Sequence, residues 1–315
     1  MMLFNKPIEV HKTRSWQKKI TLFDVVNTLF LVLVSIVILY PFYQCLIVAF
    51  SDGADITMNG IVYLWPRKWS LESFRYMLGS NDFLIAVRNS VARTLLGSFM
   101  AVLVTSCYAF ALSHTKLKLR KFYTTIGLIT MYFSGGMIPT FLLIRSIGLY
   151  DSFWVYLLPM AFNMFNAMVF LAYFRSVPLA LEECAMIDGA NEFIFFFRIM
   201  IPVSIPVFSC VLLFEAVAQW NAYFDCLIYT TSDHLTVLAH RFAKMLLAAQ
   251  YIEQRVAEVA TAGASSEELM AMRGPVSALT TQMASMVITV LPIMCVYPFL
   301  QKYFVQGIMV GSLKG

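Results

Sequence analysis

The sequence predicts an all-α, polytopic membrane protein with six transmembrane helices, and three observations carry that prediction. First, 60% of the 315 residues are hydrophobic, only 13% are charged, and the mean hydropathy is +0.73. A soluble domain of this length has too little interior to hide that much apolar surface, so lipid must serve as a second apolar solvent. Second, six runs reach the ~20 apolar residues that a bilayer crossing takes: near 22–49, 89–112, 122–145, 153–174, 203–230 and 281–304. Third, the runs lack strand-like alternation, and lipid offers open backbone groups no partner, so each is expected to be a helix.

The leader, 1–21, carries Lys6, Lys12, Arg14, Lys18 and Lys19 against Glu9 alone, which places it in the cytoplasm. The first apolar run is too long for the core of a signal peptide, so no cleavable signal is expected. After the second run, Lys116, Lys118, Arg120 and Lys121 stand without an acid, again an inside loop. Segments 51–88 and 231–280 mix both signs and are expected outside, so both termini of the chain are expected in the cytoplasm. Within the runs, Ser134-Gly135-Gly136 with Pro139 predicts a kink in the third, and Pro292 and Pro298 predict breaks in the sixth. Residues Leu235 to Val259 read as helix, with a Gly-Ala-Ser-Ser break at 263–266. The six cysteines show no metal-ligand spacing and fall mostly in apolar runs, so they read as small buried hydrophobes. A net charge of +5 split between two clusters is a poor fit to nucleic-acid binding.

One inside loop breaks the charge rule. Residues 175–200 carry Glu182, Glu183, Asp188 and Glu192 against Arg175 and Arg198. Pro178 suits the first turn of a helix, Glu182 and Glu183 complement its positive end, and Gly189 tolerates the turn that stops it near Ile187. Asn191 can cap a second short helix leading to Pro202. The expected product is a helix–turn–helix on the membrane surface, apolar side inward and acidic side exposed. A plain amphipathic connector would look the same by shape alone.

Glu183-Cys184-Ala185, Gly189, Ile199 and Ile201-Pro202 fall at the spacing Glu-Ala-Ala-x3-Gly-x9-Ile-x-Leu-Pro, with Cys184 and Ile201 as the two departures. In this the loop resembles the EAA loop of ABC importer permeases of the maltose type. Asn89-Ser90, Tyr108 to Ser113, Phe133 to Thr140 and the end from Tyr297 to Gly315 are similar to the branch importing complex or acidic oligosaccharides. The resemblance implies a type I importer permease domain over 22–304, with loop 175–202 as the coupling element and 305–315 as a cytoplasmic tail. It implies that Glu182, Glu183, Ala185, Asp188, Gly189 and Ala190 meet an ATP-binding subunit. It also implies that Gly311, Ser312, Leu313, Lys314 and Gly315 reach between two such subunits, a frayed terminus being the plain alternative. Implied partners are a second homologous permease, two ATPases holding ATP and Mg, an extracellular solute-binding lipoprotein, and a carbohydrate. Loop 231–280 corresponds to one that meets the binding protein in the family, and a solvated hairpin is its plain reading.

No Gly-x4-Gly-Lys-Ser/Thr phosphate loop is present, so the chain is expected to bind no nucleotide, to hold no cofactor and to be no enzyme. Polar groups at membrane depth usually face the bundle interior. Asn163, Asn166, Glu215, Gln219, Trp220 and Asn221 are therefore candidates for the substrate path, with interhelical hydrogen bonding as the alternative. Arg93 and Arg145 read as edge residues snorkelling outward, and Asp225 as a carboxylate at the outer mouth. Members of the branch carry an arginine where this chain has Leu171, which leaves the charge of the substrate open. The competing function, an ion-coupled secondary transporter, would need an internal repeat that the sequence does not display.

Overall fold

The structure is a computed structural model that describes residues 21–114, 117–261 and 278–312. The chain divides into two units, Met1–Gln44 and Cys45–Gly315. Most of α1 (Leu22–Ala49) lies in the first. Its start is fixed locally: the Thr21 backbone and hydroxyl both donate to Asp24 Oδ2, and Asp24 N donates back to Thr21 Oγ1, a reciprocal cap. At 1.5 Å per residue its 28 residues span about 42 Å, enough to cross a bilayer.

The second unit is arranged around α4 (Asn81–Ser113), 33 residues long and starting eight positions before the predicted 89. Two short helices precede it, α2 (Gly53–Asn59), capped by Asp52, and α3 (Glu72–Leu78). The third predicted run forms α5 (Arg120–Tyr132) and α6 (Met137–Ser146), which meet at 114° instead of making one kinked rod. The glycines cause this: Gly136 has φ +84, and residues 133–136 leave the helical ladder altogether. The fourth run is helical only in α7 (Met164–Phe174), preceded by a single 3-10 turn at Phe153–Tyr156. A 77° bend leads from α7 into α8 (Leu179–Ile187), and α9 (Glu192–Val203) contains a π turn at Phe196–Met200. An 85° bend at Ser204 then starts α10 (Ile205–Asn221). After it come α11 (Phe224–Tyr229), α12 (Leu238–Thr261) and α13 (Ala278–Ser312).

Among the described residues, three helices are individually long and apolar enough to cross a membrane, and the count rises to six if each bent pair is one span. The described residues form helices and turns, with one isolated bridge between Ser51 and Trp69. The expected breaks at Pro292 and Pro298 do not occur, because α13 runs through both. Each proline removes one hydrogen bond, whereas opening the helix in lipid would expose several more backbone groups. The cysteines also depart from expectation. Cys226 is buried, Cys45 and Cys210 are partly buried, and Cys107, Cys184 and Cys295 are exposed, all as free thiols. The helix expected over 235–259 is α12, whereas the 263–266 break and most of the basic leader lie outside the described residues.

The largest core joins α4, α7, α9 and α10 through Phe110, Phe170, Phe174, Phe195, Phe196 and Val211. A second, built on Met77, Phe83, Trp220, Leu238 and Ala284, draws in α3, α12 and α13. Segment 231–238 is fastened to α4 by polar bonds. Asn89 Nδ2 donates to the His234 and Thr236 carbonyls at 2.7 and 3.0 Å, and Leu238 N donates to Ser90 Oγ at 2.7 Å.

Asp151 ties the turn after α6 to the end of α11. It sits at φ +54, its amide donates to the Tyr229 carbonyl, and Oδ1 accepts from both Thr231 N and Ser232 N at 2.9 Å. The Ser232 side-chain bond, followed by the Ser232 and Thr231 backbone bonds, holds this carboxyl below the usual aspartate range. A folded-state pKa below the unfolded one stabilises above the ordinary value and loses that effect as pH falls through the folded one. Hydrogen exchange at the Thr231 and Ser232 amides is therefore expected to accelerate severalfold in Asp151→Ala at neutral pH. In the unmodified protein the tie should loosen only below about pH 4.

Candidate functional site

The helix–turn–helix predicted from the sequence is present. α8 ends as expected at Ile187, Gly189 takes φ +81, and Ala190 N closes the turn on the Ala185 carbonyl at 2.9 Å. Asn191 Oδ1 accepts from Ile194 N at 2.8 Å and so starts the next helix as predicted. Pro178 stands at the cap, one position before the first helical turn.

The faces of α8 differ from expectation. Ala185 is buried against the main core, and Glu182 is half-buried, 3.4 Å from His114 Nε2 at the end of α4. The His114 ring donates through Nδ1 to the Phe110 carbonyl at 2.9 Å. Outward, Leu179 and Ile187 are exposed together with Glu183, Asp188 and Gly189. Positions 179, 183 and 187 are four apart, so the outer stripe is apolar–acidic–apolar rather than purely acidic. The cause is spacing: only the small Ala185 fits between α8 and the bundle, which leaves the large apolar side chains on the far side. Ala190 is partly buried and closes the lever against the core.

At membrane depth the polar candidates separate into two groups. Asn163 caps α7 through Oδ1 to Asn166 N, and Asn166 Nδ2 donates to Glu215 Oε1 at 2.6 Å. These three border a recess of about 500 Å³ walled by Phe162, Phe165 and Phe214. Gln219 lies elsewhere. Its Oε1 accepts from Arg93 Nε and Nη2 at 3.2 and 3.1 Å. Trp220 donates through Nε1 to the Thr289 carbonyl on α13 at 3.0 Å, and Asn221 is exposed at the end of α10.

Arg93 is not an edge residue. It is fully buried, donates to Asp225 Oδ2 at 2.5 Å and Oδ1 at 3.1 Å, to the Ala222 carbonyl at 3.0 Å, and lies 4.5 Å over the Tyr156 ring. Asp225 is accordingly a partly buried counter-ion, not a carboxylate free at the mouth. Sequence reasoning missed this pair. Its signal was available: an arginine inside an apolar run demands an acid at similar depth, and Asp225 is one of the few on offer. Arg145 is exposed, as an edge residue should be. Of the tail, Gly311 and Ser312 end α13, and Leu313, Lys314 and Gly315 lie outside the described residues.

A helical bundle with several candidate membrane spans, polar groups among its apolar helices and an exposed helix–turn–helix between them has the architecture of a multi-pass membrane protein. The chain is 33% identical over 306 residues to Protein LplC of Bacillus subtilis, covering 97% of this chain and 98% of that one. It is 31% identical over 294 residues to the polygalacturonan/rhamnogalacturonan transport system permease protein YtcP of the same organism, covering 93% and 99%. No family model matches. Among solved structures, a bacterial ABC transporter involved in the import of the acidic polysaccharide alginate aligns with TM-score 0.76 and 27% identity, over 92% of this chain and 99% of that one. A second alginate transporter structure, at TM-score 0.51 and 14% identity, shares the fold. The chain belongs to the ABC transporter permeases, as the resemblance of its loop implied, and is an importer's transport subunit. That membership sets aside the ion-coupled alternative.

Removing either member of a buried ion pair strands the other, a loss of about 3–5 kcal/mol. Arg93→Met and Asp225→Leu are each expected to lower the melting temperature of the detergent-purified protein markedly. The double variant should recover most of the loss, and fluorescence-detected thermal unfolding measures all three.

Proposed function

We propose that this chain is one half of the pore of an oligosaccharide importer, paired with a second, homologous permease. Two ATP-binding subunits hold ATP and Mg and dock on the lever formed by α8 and α9. An extracellular solute-binding lipoprotein delivers the sugar to the opposite face. Both termini and the lever are cytoplasmic in this reading, and segment 231–280 is extracellular. Loop chemistry supports that orientation: Lys118, Arg120 and Lys121 follow α4 with no acid among them, and Lys118 lines a recess with Glu182 and Glu192.

The observation that carries the reading is the hairpin at Gly189. Glu183, Leu179 and Ile187 present a solvent-facing stripe with one charge between two apolar side chains, suited to a cleft on another protein. The lever is stiff on its inner side, where Ala185, Phe195 and Phe196 are buried in the core shared with α4 and α10. A push on α8 is therefore passed to α4 and α10 instead of being absorbed locally. Closure of the ATPases turns the cavity outward to receive sugar, and hydrolysis on those subunits returns it inward. Asp188 and Ala190 flank the turn, and the tail residues Gly311 to Gly315 meet the same partners in this reading. The oligosaccharide assignment is supported by the named substrates of the relatives and by the amide–carboxylate recess with its aromatic wall.

Gly189→Asp separates docking from folding. A Cβ at Gly189 meets nothing within 4 Å, so backbone strain rather than crowding at that atom sets the cost of a substitution. The left-handed backbone costs a non-glycine residue about 1–2 kcal/mol, and aspartate tolerates it better than most. The variant is expected to reach the membrane at near-normal abundance, to lose sugar uptake by at least 100-fold, and to fail to retain the ATPase on purification. Normal uptake would refute the coupling assignment.

A further inference from the structure

The recess between α7 and α10 contains a side chain with two tasks. Asn163 Oδ1 accepts from Asn166 N and caps α7. Only the oxygen of an amide can accept, so the cap fixes which way Nδ2 points: away from the first turn of the helix. The Asn163 backbone N–H donates to Thr105 Oγ1 at 3.4 Å, and Nδ2 has no partner among the described residues. Asn163 is exposed at membrane depth, where lipid would leave that donor unsatisfied. Its face therefore borders a wet path or another polar surface.

The rings around it are not equivalent. Phe162 already stands edge-on to Tyr108 at 4.9 Å. Phe165 is 54% exposed and makes no ring contact among the described residues. Phe214 adds a ring from α10, and Glu215, only 4% exposed, accepts from Asn166 Nδ2 and so ties α10 to α7 in the recess wall. A recess of about 500 Å³ with aromatic walls and one aimed polar group has the size and make-up of a small-ligand site. A sugar ring presents an apolar C–H face edged by oxygens. An open aromatic ring can take that face, and an amide N–H donates to a hydroxyl or a carboxylate oxygen alike.

We infer that Phe165 and Asn163 Nδ2 form a subsite for one sugar ring in transit, held by stacking and a single neutral hydrogen bond. Asn166 and Glu215 are positioning residues that join the two walls. The inference rests on the reading of the chain as an oligosaccharide permease, and it names the side chains of this half of the pore that touch the sugar.

The test uses the complete transporter with its own binding protein, in cells given labelled arabino-, xylo- and galacturono-oligosaccharides of matched length. Whichever of these the unmodified transporter takes up is the probe. Phe165→Leu keeps bulk without a ring, and Phe165→Tyr keeps the ring. The leucine variant is expected to lower the maximal uptake rate about fivefold, the worth of one neutral contact, and the tyrosine variant to leave it unchanged. Asn163→Ser keeps a capping oxygen but withdraws Nδ2, and a similar loss is expected, with membrane abundance by immunoblot constant. Independently, Phe165→Cys in the purified transporter should react with a water-soluble methanethiosulfonate, read at that peptide by mass spectrometry. The probe sugar, added with binding protein and ATP, should slow that reaction severalfold. Should one variant fail to reach the membrane, the others carry the test. No reaction at position 165 would show that lipid or another subunit covers this face, and would overturn the subsite. Reaction that the sugar does not slow, or uptake indifferent to Phe165→Leu and Asn163→Ser, would overturn it as well. Each of these results leaves the importer reading standing. Uptake of none of the three sugars by the unmodified transporter would overturn the oligosaccharide reading itself, and this inference with it.

Discussion

A polar group at membrane depth has no water to fall back on, and that constraint organises the centre of this permease. Arg93 illustrates it most fully. Its guanidinium donates to a carboxylate, an amide oxygen and a backbone carbonyl, and its face rests on the Tyr156 ring. Arg93 stands on α4, and these partners come from α10 and the turn after it, from α11, and from the 3-10 turn before α7. One charge thus fixes the mutual position of four separate stretches of chain. Gly97 belongs to the same arrangement. A Cβ there would stand 2.5 Å from Gln219 Nε2, so the glycine is what lets Gln219 reach Arg93.

The second polar group, Asn163 with Asn166 and Glu215, obeys the same constraint differently. It satisfies itself only in part and leaves capacity facing a recess. A fully matched cluster locks helices together, while a partly matched one is available to a ligand. The Arg93 and Glu215 clusters each draw one residue from α10, Gln219 and Glu215, one turn apart, so a matched and a partly matched cluster adjoin along that helix.

The lever works under a different balance. α8 is only nine residues long and would be marginal alone, so it depends on the capped turn at Gly189 and on Ala185 packed beneath it. Continuity into α9, through a π turn and an 85° bend at Ser204, joins it to α10 without a flexible linker. The outer stripe is thereby joined to the helix that contributes Glu215 and Gln219.

The amino-acid order alone determined the helical class, the extent of α1, the end of α8, the Asn191 cap and the spacing of the coupling loop. Each depends on residues within a few positions of one another: apolar run length, a glycine able to take φ +81, a side-chain oxygen three residues from an open amide. Bending of the α5–α6 pair was legible as a kink but not as 114°, because Gly135 and Gly136 permit many angles and packing selects one. Passage of α13 through Pro292 and Pro298 was not legible, since local propensity is overridden where lipid penalises open backbone. The Arg93–Asp225 pair and the outward stripe of Leu179 and Ile187 were decided by tertiary structure. Their partners are separated by as many as 132 residues, or are defined by which side of a helix another helix happens to cover. Sequence periodicity states that a face exists, and only packing states which neighbour it meets.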